Sequence, residues 1–188
     1  DDMFGRKVRM GKYATEGSRL VARLKALLVN EKIAPEVLRF ERDVVDSLKN
    51  RIERQQNMID EADDQSEAVI YQMDLDRIKF MLTDYLRVRL KKIQKYVFHI
   101  TSSREFSARL SEAEFAFAKK YLDIVGDHFQ KSALQHIPER YQNLKESESS
   151  VPTPDLNTFV FCEIEEDIGA VDIDDTTPTF SRGDTYIV

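Results

Sequence analysis

Apolar residues recur at helical spacing over most of the N-terminal three quarters of the sequence, which predicts a chain that is mainly α-helical. The first helix is expected to begin at Thr15 or Ser18, because either hydroxyl can cap its first turn. A second helix is expected to open near Pro35, a residue type that suits a first helical turn. Its apolar residues repeat every seven positions from Leu38 to Ile59, a spacing that packs along another helix at a shallow angle.

The next two helices are predicted by an uninterrupted stretch and by a capping signal. A third helix should run from Ser66 to about Val97, because this stretch contains neither glycine nor proline. At ~1.5 Å per residue it would be roughly 45 Å long, well above the usual helix length. The fourth helix begins at Ser111, where Ser-Glu-Ala-Glu allows Glu114 to complete a capping box, and it should end near Gln135.

The fourth helix has apolar residues on two faces, whereas a surface helix needs only one. One stripe consists of Phe115, Ala118, Leu122, Val125 and Phe129, and the other of Phe117, Tyr121, Ile124 and His128. The two stripes indicate burial on two sides. A central helix of a monomeric bundle and a helix shared between subunits both fit this pattern.

The pattern changes near residue 146, where helical spacing gives way to a polar stretch and then to alternation. Residues 146–153 are rich in Ser, Glu and Pro, which is the composition of a linker. Alternation at Phe159–Ile164, at Val171 and Ile173, and at Tyr186–Val188 predicts three short strands. The expected organisation is a bundle of about four to five helices, one or two unusually long, followed by a small β-rich domain that is incomplete at its C-terminus. The predicted segments are a tail at 1–14, a helical domain at 15–145, a linker at 146–153 and a β-rich domain at 154–188.

Charge divides the chain at the same place. The sequence has 188 residues with a net charge of -6, 41% hydrophobic and 33% charged, so a core can be buried. Residues 1–145 contain 27 basic and 23 acidic residues, whereas residues 146–188 contain 1 basic and 11 acidic residues. The single cysteine, Cys162, excludes an intramolecular disulfide and a cysteine-based zinc site. The sequence has no run of apolar residues long enough for a transmembrane helix.

Catalytic motifs are missing from the sequence. It contains no phosphate-binding loop, no dinucleotide fingerprint and no nucleophile elbow, so no catalytic, cofactor or metal site is predicted. His136 and Glu139 have metal-like spacing, but Pro138 interrupts the helix between them. A small enzyme built on the carboxylates of Asp74 and Asp76 is disfavoured, because residues two apart diverge on a helix.

A basic run on the third helix offers a sharper signal. It consists of Arg77, Lys79, Arg87, Arg89, Lys91, Lys92 and Lys95, with Asp84 as the one acidic residue among them. A basic helix of this kind can contact phosphates or pair with acidic residues of a partner. The isoelectric point near 5.2 argues against strong nucleic-acid binding. A stand-alone helical nucleic-acid-binding or adaptor module that uses this helix is therefore the alternative hypothesis.

Four segments, taken together and in order, resemble one family. They are LLVNEKIAPEVL at 27–38, IYQMDLDRIKFMLTDYLRVRLKKIQKYVFHI at 70–100, LSEAEFAFAKKYL at 110–122 with ALQHIP at 133–138, and VPTPDLNTFVF at 151–161. The family is that of the Sld-five subunit of the GINS complex, which acts in eukaryotic DNA replication. The resemblance runs from about Leu20 to Phe161, whereas residues 1–14 match nothing in the family.

The resemblance implies a function in the nucleus without catalysis or cofactors. It implies a helical domain followed by a small β domain, and assembly with three paralogous GINS subunits into a heterotetramer. In the larger assembly, that tetramer joins the Mcm hexamer and a Cdc-type factor to form the replicative helicase. Little direct DNA contact and no membrane contact are expected. The candidate partner-interface residues are Tyr85, Leu86, Arg87, Arg89, Ile93, Phe115, Phe117, Tyr121, Ile124, Phe159 and Phe161.

Overall fold

A computed structural model describes residues 3–61, 64–138, 152–171 and 177–187, with no side chains described for residues 3–16 and for Glu67. The described chain is mainly helical, as the sequence predicts, and short strands follow in its C-terminal part. The helices are α1 (Met3–Ile33), α2 (Arg42–Asp60), α3 (Gln65–Lys95), α4 (Val97–Ser102), α5 (Arg104–Ala108) and α6 (Glu112–Ser132). A 3₁₀ turn at Leu134–His136 follows α6.

The first three helices pack around one apolar cluster. Its centre is formed by Leu24 of α1, Leu48 of α2 and Leu82 of α3, all buried. Val45 and Ile52 come from the seven-residue repeat predicted for the second helix, and that repeat places them on the face turned to this cluster. The fully buried aliphatic side chains favour this arrangement by roughly 1.5–3 kcal/mol each.

A second apolar cluster lies further along α3. It joins Ile93 of α3, Val97 and Ile100 of α4, Ala118 of α6 and Val37 from the segment before α2. Because α3 contributes to both clusters, this long helix spans the bundle, and α6 packs against it and against α4.

Two predicted helices agree with the structure: the long third helix, which is α3, and the capped fourth helix, which is α6. Asp64 accepts a hydrogen bond from the backbone N–H of Ser66 at 2.9 Å and so caps α3. At α6, the Ser111 hydroxyl accepts from the Glu114 N–H at 3.3 Å, and the Ser111 N–H donates to the Glu114 carboxylate at 2.8 Å. This reciprocal pair is the predicted capping box.

Two predicted helix starts are wrong. The first helix is continuous from Met3, so Thr15 and Ser18 lie inside it and do not cap it. The second helix begins at Arg42, and Pro35 and Leu38 lie in the connection that precedes it. This connection is not helical, and two of its backbone carbonyls accept hydrogen bonds from side chains of α3, where a helix would have used them internally.

The C-terminal segment forms two small antiparallel ribbons. Strand β1 (Phe161–Glu163) pairs with β4 (Thr185–Ile187), and β2 (Gly169–Ala170) pairs with β3 (Thr179–Phe180). Two of the three predicted strands are present. The one expected at Val171 and Ile173 is wrong at Val171, which lies just after β2, while Ile173 is outside the described residues.

The predicted boundary between the two domains stays a prediction. Most of the linker expected at 146–153 lies outside the described residues, as do Glu139, the end of the helical domain expected at 145 and Val188.

Candidate functional site

A buried arginine connects three parts of the helical bundle. Arg89 of α3 is 0% exposed, and its guanidinium lies between two carboxylates. Its Nε donates to Glu114 Oε1 at 2.7 Å and its Nη2 to Glu114 Oε2 at 3.1 Å, while its Nη1 donates to Glu31 Oε2 at 3.0 Å. The pairing with Glu114 is bidentate, which is the strongest geometry available to an arginine and a carboxylate.

Backbone carbonyls take the remaining donors of Arg89. Nη1 donates to the Leu38 carbonyl at 2.7 Å, and Nη2 donates to the Arg109 carbonyl at 3.3 Å. A guanidinium has five N–H donors, so each of them has an acceptor in the fold. The ring of Phe40 lies 5.3 Å from the guanidinium carbon and adds a cation–π contact. Arg89 therefore fixes α1, α3, α6 and the connection before α2 relative to each other.

Lys92, one turn further along α3, completes this network. Its Nζ donates to Glu31 Oε1 at 3.1 Å and to the Glu36 carbonyl at 2.9 Å, and it also contacts the Glu31 carbonyl. Two cations of α3 thus neutralise Glu31, which is itself 1% exposed. A buried carboxylate needs this kind of pairing, because desolvation of an unpaired charge is very costly.

Burial and charge shift two pKa values in this network. Burial by itself would lower the pKa of Arg89, but its hydrogen bonds to the Glu114 carboxylate and the charges of Glu114 and Glu31 raise that pKa above its usual value. Burial raises the pKa of the Tyr85 hydroxyl above its usual value, partly opposed by the positive charge of Arg89. Arg89 therefore stays charged and Tyr85 neutral at physiological pH.

Three of the residues predicted to face a partner belong instead to the core of the chain. Tyr85, Arg89 and Ile93 follow one another at intervals of four on α3, so they share the face that is turned into the bundle. All three are buried within the chain itself, and the partner-interface interpretation is wrong for them. Leu86 is half-buried and packs against the first apolar cluster.

The remaining candidate from the third helix, Arg87, lies on its outer side. Arg87 is exposed there, and residues at intervals of three and four share its face. We call this face the outer stripe of α3; its exposed residues are Ile70, Met73, Arg77, Phe80, Arg87 and Lys91. Asp84 lies between Phe80 and Arg87 on the same face and is paired with Lys32 of α1 at 2.6 Å. Apolar residues dominate its N-terminal half and basic residues its C-terminal half. Sequence reasoning found the basic half but missed the apolar half, because the uninterrupted apolar content of α3 concealed which positions point outward.

The candidates on α6 divide along the helix. Phe117 and Tyr121 stack with ring centroids 5.9 Å apart and pack against the second apolar cluster, while Phe115 lies under the Lys119 ammonium. Ile124 is exposed. The buried residues of α6 are Glu114 and Ala118, so the helix is covered on one side and only along its first half by described parts of the chain.

In the C-terminal segment, Phe159 and Phe161 are both exposed. Phe161 stands directly opposite Ile187 across the β1–β4 ribbon, and this pair forms a small apolar surface with Phe159 close by in sequence.

Within the described residues, no group of three or more His, Cys, Asp and Glu side chains is placed to hold a metal ion. In that same part of the chain, no helix is long and apolar enough to cross a membrane.

The carboxylate partners of Arg89 were not predicted from the sequence. Glu31 is 58 positions away from Arg89, and nothing in its local pattern marks it as buried. Glu114 was identified through its capping box, which concerns its own helix and gives no sign of the contact with α3.

Comparison with known proteins identifies the helical domain. The Sld5 family, described as the GINS complex protein helical bundle domain, matches residues 40–133. A DNA replication complex GINS protein SLD5 from Arabidopsis thaliana is 38% identical over 179 residues, which cover 88% of this chain and 81% of that protein. The chain belongs to the Sld5 family.

Relatives of the same name from other organisms match the chain over a similar extent. The protein of the same name from Dictyostelium discoideum is 33% identical over 178 residues, covering 90% of this chain and 83% of its own length. That from Rattus norvegicus is 34% identical over 155 residues, covering 79% of this chain and 69% of its own length. The Sld5 match at 40–133 includes Arg89 and Glu114, whereas Glu31 precedes it.

Proposed function

We propose that this chain is a non-catalytic scaffold subunit of the GINS heterotetramer in DNA replication. In this proposal it assembles with three paralogous subunits in the nucleus, and the tetramer joins the Mcm hexamer and a Cdc-type factor in the replicative helicase. The observation that carries the proposal is the identity of 38% with a relative named as a GINS protein of the DNA replication complex, over most of both chains.

The outer stripe of α3 supports an assembly role. Ile70, Met73 and Phe80 are 63%, 69% and 69% exposed, and they follow one another on the same face of the helix. Monomeric proteins rarely expose a cluster of large apolar side chains. Such a cluster therefore marks an interaction site. Since all three lie on one continuous helix, a second helix laid along this face would bury them.

The basic half of the same stripe indicates the charge of the partner. Arg87 and Lys91 are exposed and make no ion pair within the described residues, in contrast to the buried Arg89. Opposite charges across an interface favour association and set its orientation. The partner surface is therefore expected to present apolar residues beside Phe80 and carboxylates beside Arg87 and Lys91.

Nucleic-acid binding is the second candidate, because the same exposed cations could contact phosphates. Arg89 and Lys92 of the basic run are unavailable for that role, because Glu31 and backbone carbonyls hold them. The apolar residues that share the stripe also fit a protein surface better than a phosphate backbone. Assembly is therefore the favoured function.

Co-expression tests the proposal directly. The full chain should be produced together with its three paralogous subunits and analysed by affinity capture and size-exclusion chromatography, where a complex with one copy of each is expected. Phe80→Glu should reduce recovery of this complex by about tenfold or more, because a carboxylate would be buried against apolar residues. Val29→Glu, the same kind of change at an exposed apolar residue of α1, is the matched control.

The possible outcomes test the proposed function and the proposed assembly surface separately. If the wild-type chain recovers none of the three subunits, the proposed function is wrong. If the complex forms and Phe80→Glu behaves like Val29→Glu, the outer stripe of α3 is not the assembly surface.

A further inference from the structure

The C-terminal segment contains two threonines that are each followed by proline. Of the five prolines in the sequence, those after Thr153 and Thr177 are the ones preceded by a residue with a hydroxyl group. Proline-directed protein kinases select a serine or threonine with proline as the next residue. Because proline also keeps the residue before it out of the helical conformation, such a pair presents its hydroxyl on extended backbone. The two pairs are therefore the candidate acceptors in this chain for a kinase of this class.

The structure presents Thr153 without contacts that would hold it back. Thr153 is exposed, and residues 152–155 form neither helix nor strand. Within the described residues, neither the hydroxyl nor the backbone of Thr153 makes a hydrogen bond. Pro152 fixes its own φ, and Pro154 restricts Thr153 to extended conformations. This stretch therefore loses little conformational freedom when it enters an extended groove of an enzyme.

Thr177 is exposed as well, but the residues that follow it are held in a ribbon. The carbonyl of Pro178 accepts a hydrogen bond from the Val171 N–H at 3.0 Å, and β3 begins at the next residue. A kinase binds several residues on each side of its acceptor as an extended peptide. Phosphorylation of Thr177 thus requires the β2–β3 ribbon to open first, whereas phosphorylation of Thr153 does not.

We propose that Thr153 is a phosphorylation site for a proline-directed serine/threonine kinase. The kinase transfers the γ-phosphoryl group of magnesium-bound ATP to Thr153 Oγ1. A bond forms between Oγ1 and the γ-phosphorus, and the bond from that phosphorus to the β–γ bridging oxygen breaks, so that ADP leaves. The hydroxyl proton passes to the aspartate of the kinase's own catalytic loop.

The residue three positions after the acceptor narrows the class of kinase. Leu156 occupies this position after Thr153, so no basic residue follows the Thr-Pro pair there. The kinase is therefore one for which the following proline suffices, as it does for mitogen-activated kinases, rather than one that also pairs a lysine or arginine at the third position. The inference concerns Thr153 alone and does not depend on the proposed function.

The test incubates the purified full chain with an active mitogen-activated kinase, ATP and Mg²⁺. Mass spectrometry of proteolytic fragments then follows phosphate at each threonine over time. Thr153 should be modified about tenfold or more faster than Thr177, because the ribbon must open before Thr177 can bind. The ratio of the two rates should fall by about tenfold when the same two segments are supplied as synthetic peptides, in which no ribbon forms.

Two variants of the full chain check that the Thr-Pro pair is what the kinase recognises. Pro154→Ala should slow modification of Thr153 by about tenfold or more, because the selected residue is missing. Thr158→Val is the matched control, since Thr158 is also exposed in this segment but is followed by Phe159. It should leave the rate at Thr153 within about twofold of the wild type.

Three results would overturn the inference. The first is a kinase that modifies the Thr153 peptide but leaves Thr153 in the full chain unmodified, because the residue is then not accessible. The second is modification of Thr177 in the full chain as fast as Thr153, since the ribbon then gives no selectivity. The third is a Pro154→Ala chain that is modified like the wild type. None of these results bears on assembly with the paralogous subunits, so the proposed function is tested separately.

Discussion

Arg89 of α3 and Glu114 of α6 form a bidentate ion pair inside the helical bundle, with donor–acceptor distances of 2.7 and 3.1 Å. Glu114 also accepts from the backbone N–H of Ser111 and thereby completes the cap of α6. One carboxylate therefore determines both where α6 begins and how α6 docks on α3. A buried pair of this kind is favourable only when its remaining donors are satisfied, as those of Arg89 are.

Glu114→Gln removes the charge of this pair and replaces one of its two acceptor oxygens with an amide donor, while the remaining oxygen can still complete the capping box. The substitution leaves Arg89 buried with one fewer negative partner, and we expect the free energy of unfolding to fall by about 3–5 kcal/mol. Chemical denaturation monitored by circular dichroism measures this change. Glu112→Gln is the control on the same helix, since Glu112 makes an exposed ion pair with Arg42 at 3.2 Å. It should cost no more than about 1 kcal/mol, and equal effects of the two substitutions would contradict the role given to Arg89.

Ile93 and Leu86 lie seven residues apart on α3 but differ in burial. Ile93 is fully buried in the second apolar cluster, whereas Leu86 is half-buried at the edge of the first. Ile93→Ala should lower the free energy of unfolding by about 2–5 kcal/mol, because it removes buried apolar atoms and leaves a cavity in their place. Leu86→Ala should lower it by less. A larger loss for Leu86→Ala in denaturation experiments would mean that the two residues have exchanged roles.

Helix positions were predictable where local signals decide them. The capping box at Ser111 and the stretch without glycine or proline that became α3 involve only residues near each other in sequence. Pro35 illustrates the opposite case, because its local preference for a first helical turn is overridden by side chains of α3 that bind the surrounding backbone.

The candidate site was predictable only in part, for the same physical reason. A basic run on a helix was recognisable, but the division between Arg89 inside and Arg87 outside depends on which face meets the bundle. That depends on Glu31 and Glu114, which are distant in sequence from Arg89. The exposure of the second half of α6, the fourth helix predicted from the sequence, was likewise not predictable. Two apolar stripes look the same in sequence whether the second stripe is covered by the chain or left open.

Tyr85 should make the free energy of unfolding depend on pH in the alkaline range. Its pKa in the folded chain is raised above the usual value of 10.0 by burial, with Arg89 opposing and Glu31 and Glu114 reinforcing the shift. Above that pH the unfolded chain loses the tyrosine proton while the folded chain retains it, so deprotonation favours unfolding. The contribution of Tyr85 is therefore fully present below pH 10 and is lost as the pH rises through the folded pKa.

Tyr85→Phe removes this titration while keeping the ring. The free energy of unfolding measured by denaturant titration should fall less steeply above pH 10 in the variant than in the wild type. Tyr186→Phe is the companion variant, because the pKa of Tyr186 is also raised although its side chain is only half-buried. Identical alkaline profiles for the wild type and Tyr85→Phe would show that Tyr85 is not shielded from water.

Arg87 and Lys91 distinguish assembly from nucleic-acid binding, because they are the exposed cations in the C-terminal half of the outer stripe. Replacing both with alanine should reduce recovery of the complex with the paralogous subunits by about tenfold, since each loses a contact with a partner carboxylate. If they instead contact phosphates, the complex should form normally, and the slope of log affinity for DNA against log salt should fall by about one per lost contact. Both quantities need to be measured for the same purified variant.

The control for this experiment removes the same charge from another helix. Lys49 and Arg54 are exposed on α2, so replacing both with alanine lowers the net charge equally without touching the outer stripe. We expect this control to assemble like the wild type.

The acidic C-terminal segment repels phosphate only within about a Debye length, ~8 Å at physiological salt, so it does not by itself prevent DNA from reaching α3. The decisive feature is instead Phe80, which lies on the same stripe and gives a partner helix an apolar contact that a phosphate backbone cannot use. Lost DNA affinity with intact assembly in the Arg87 and Lys91 variant would overturn this assignment.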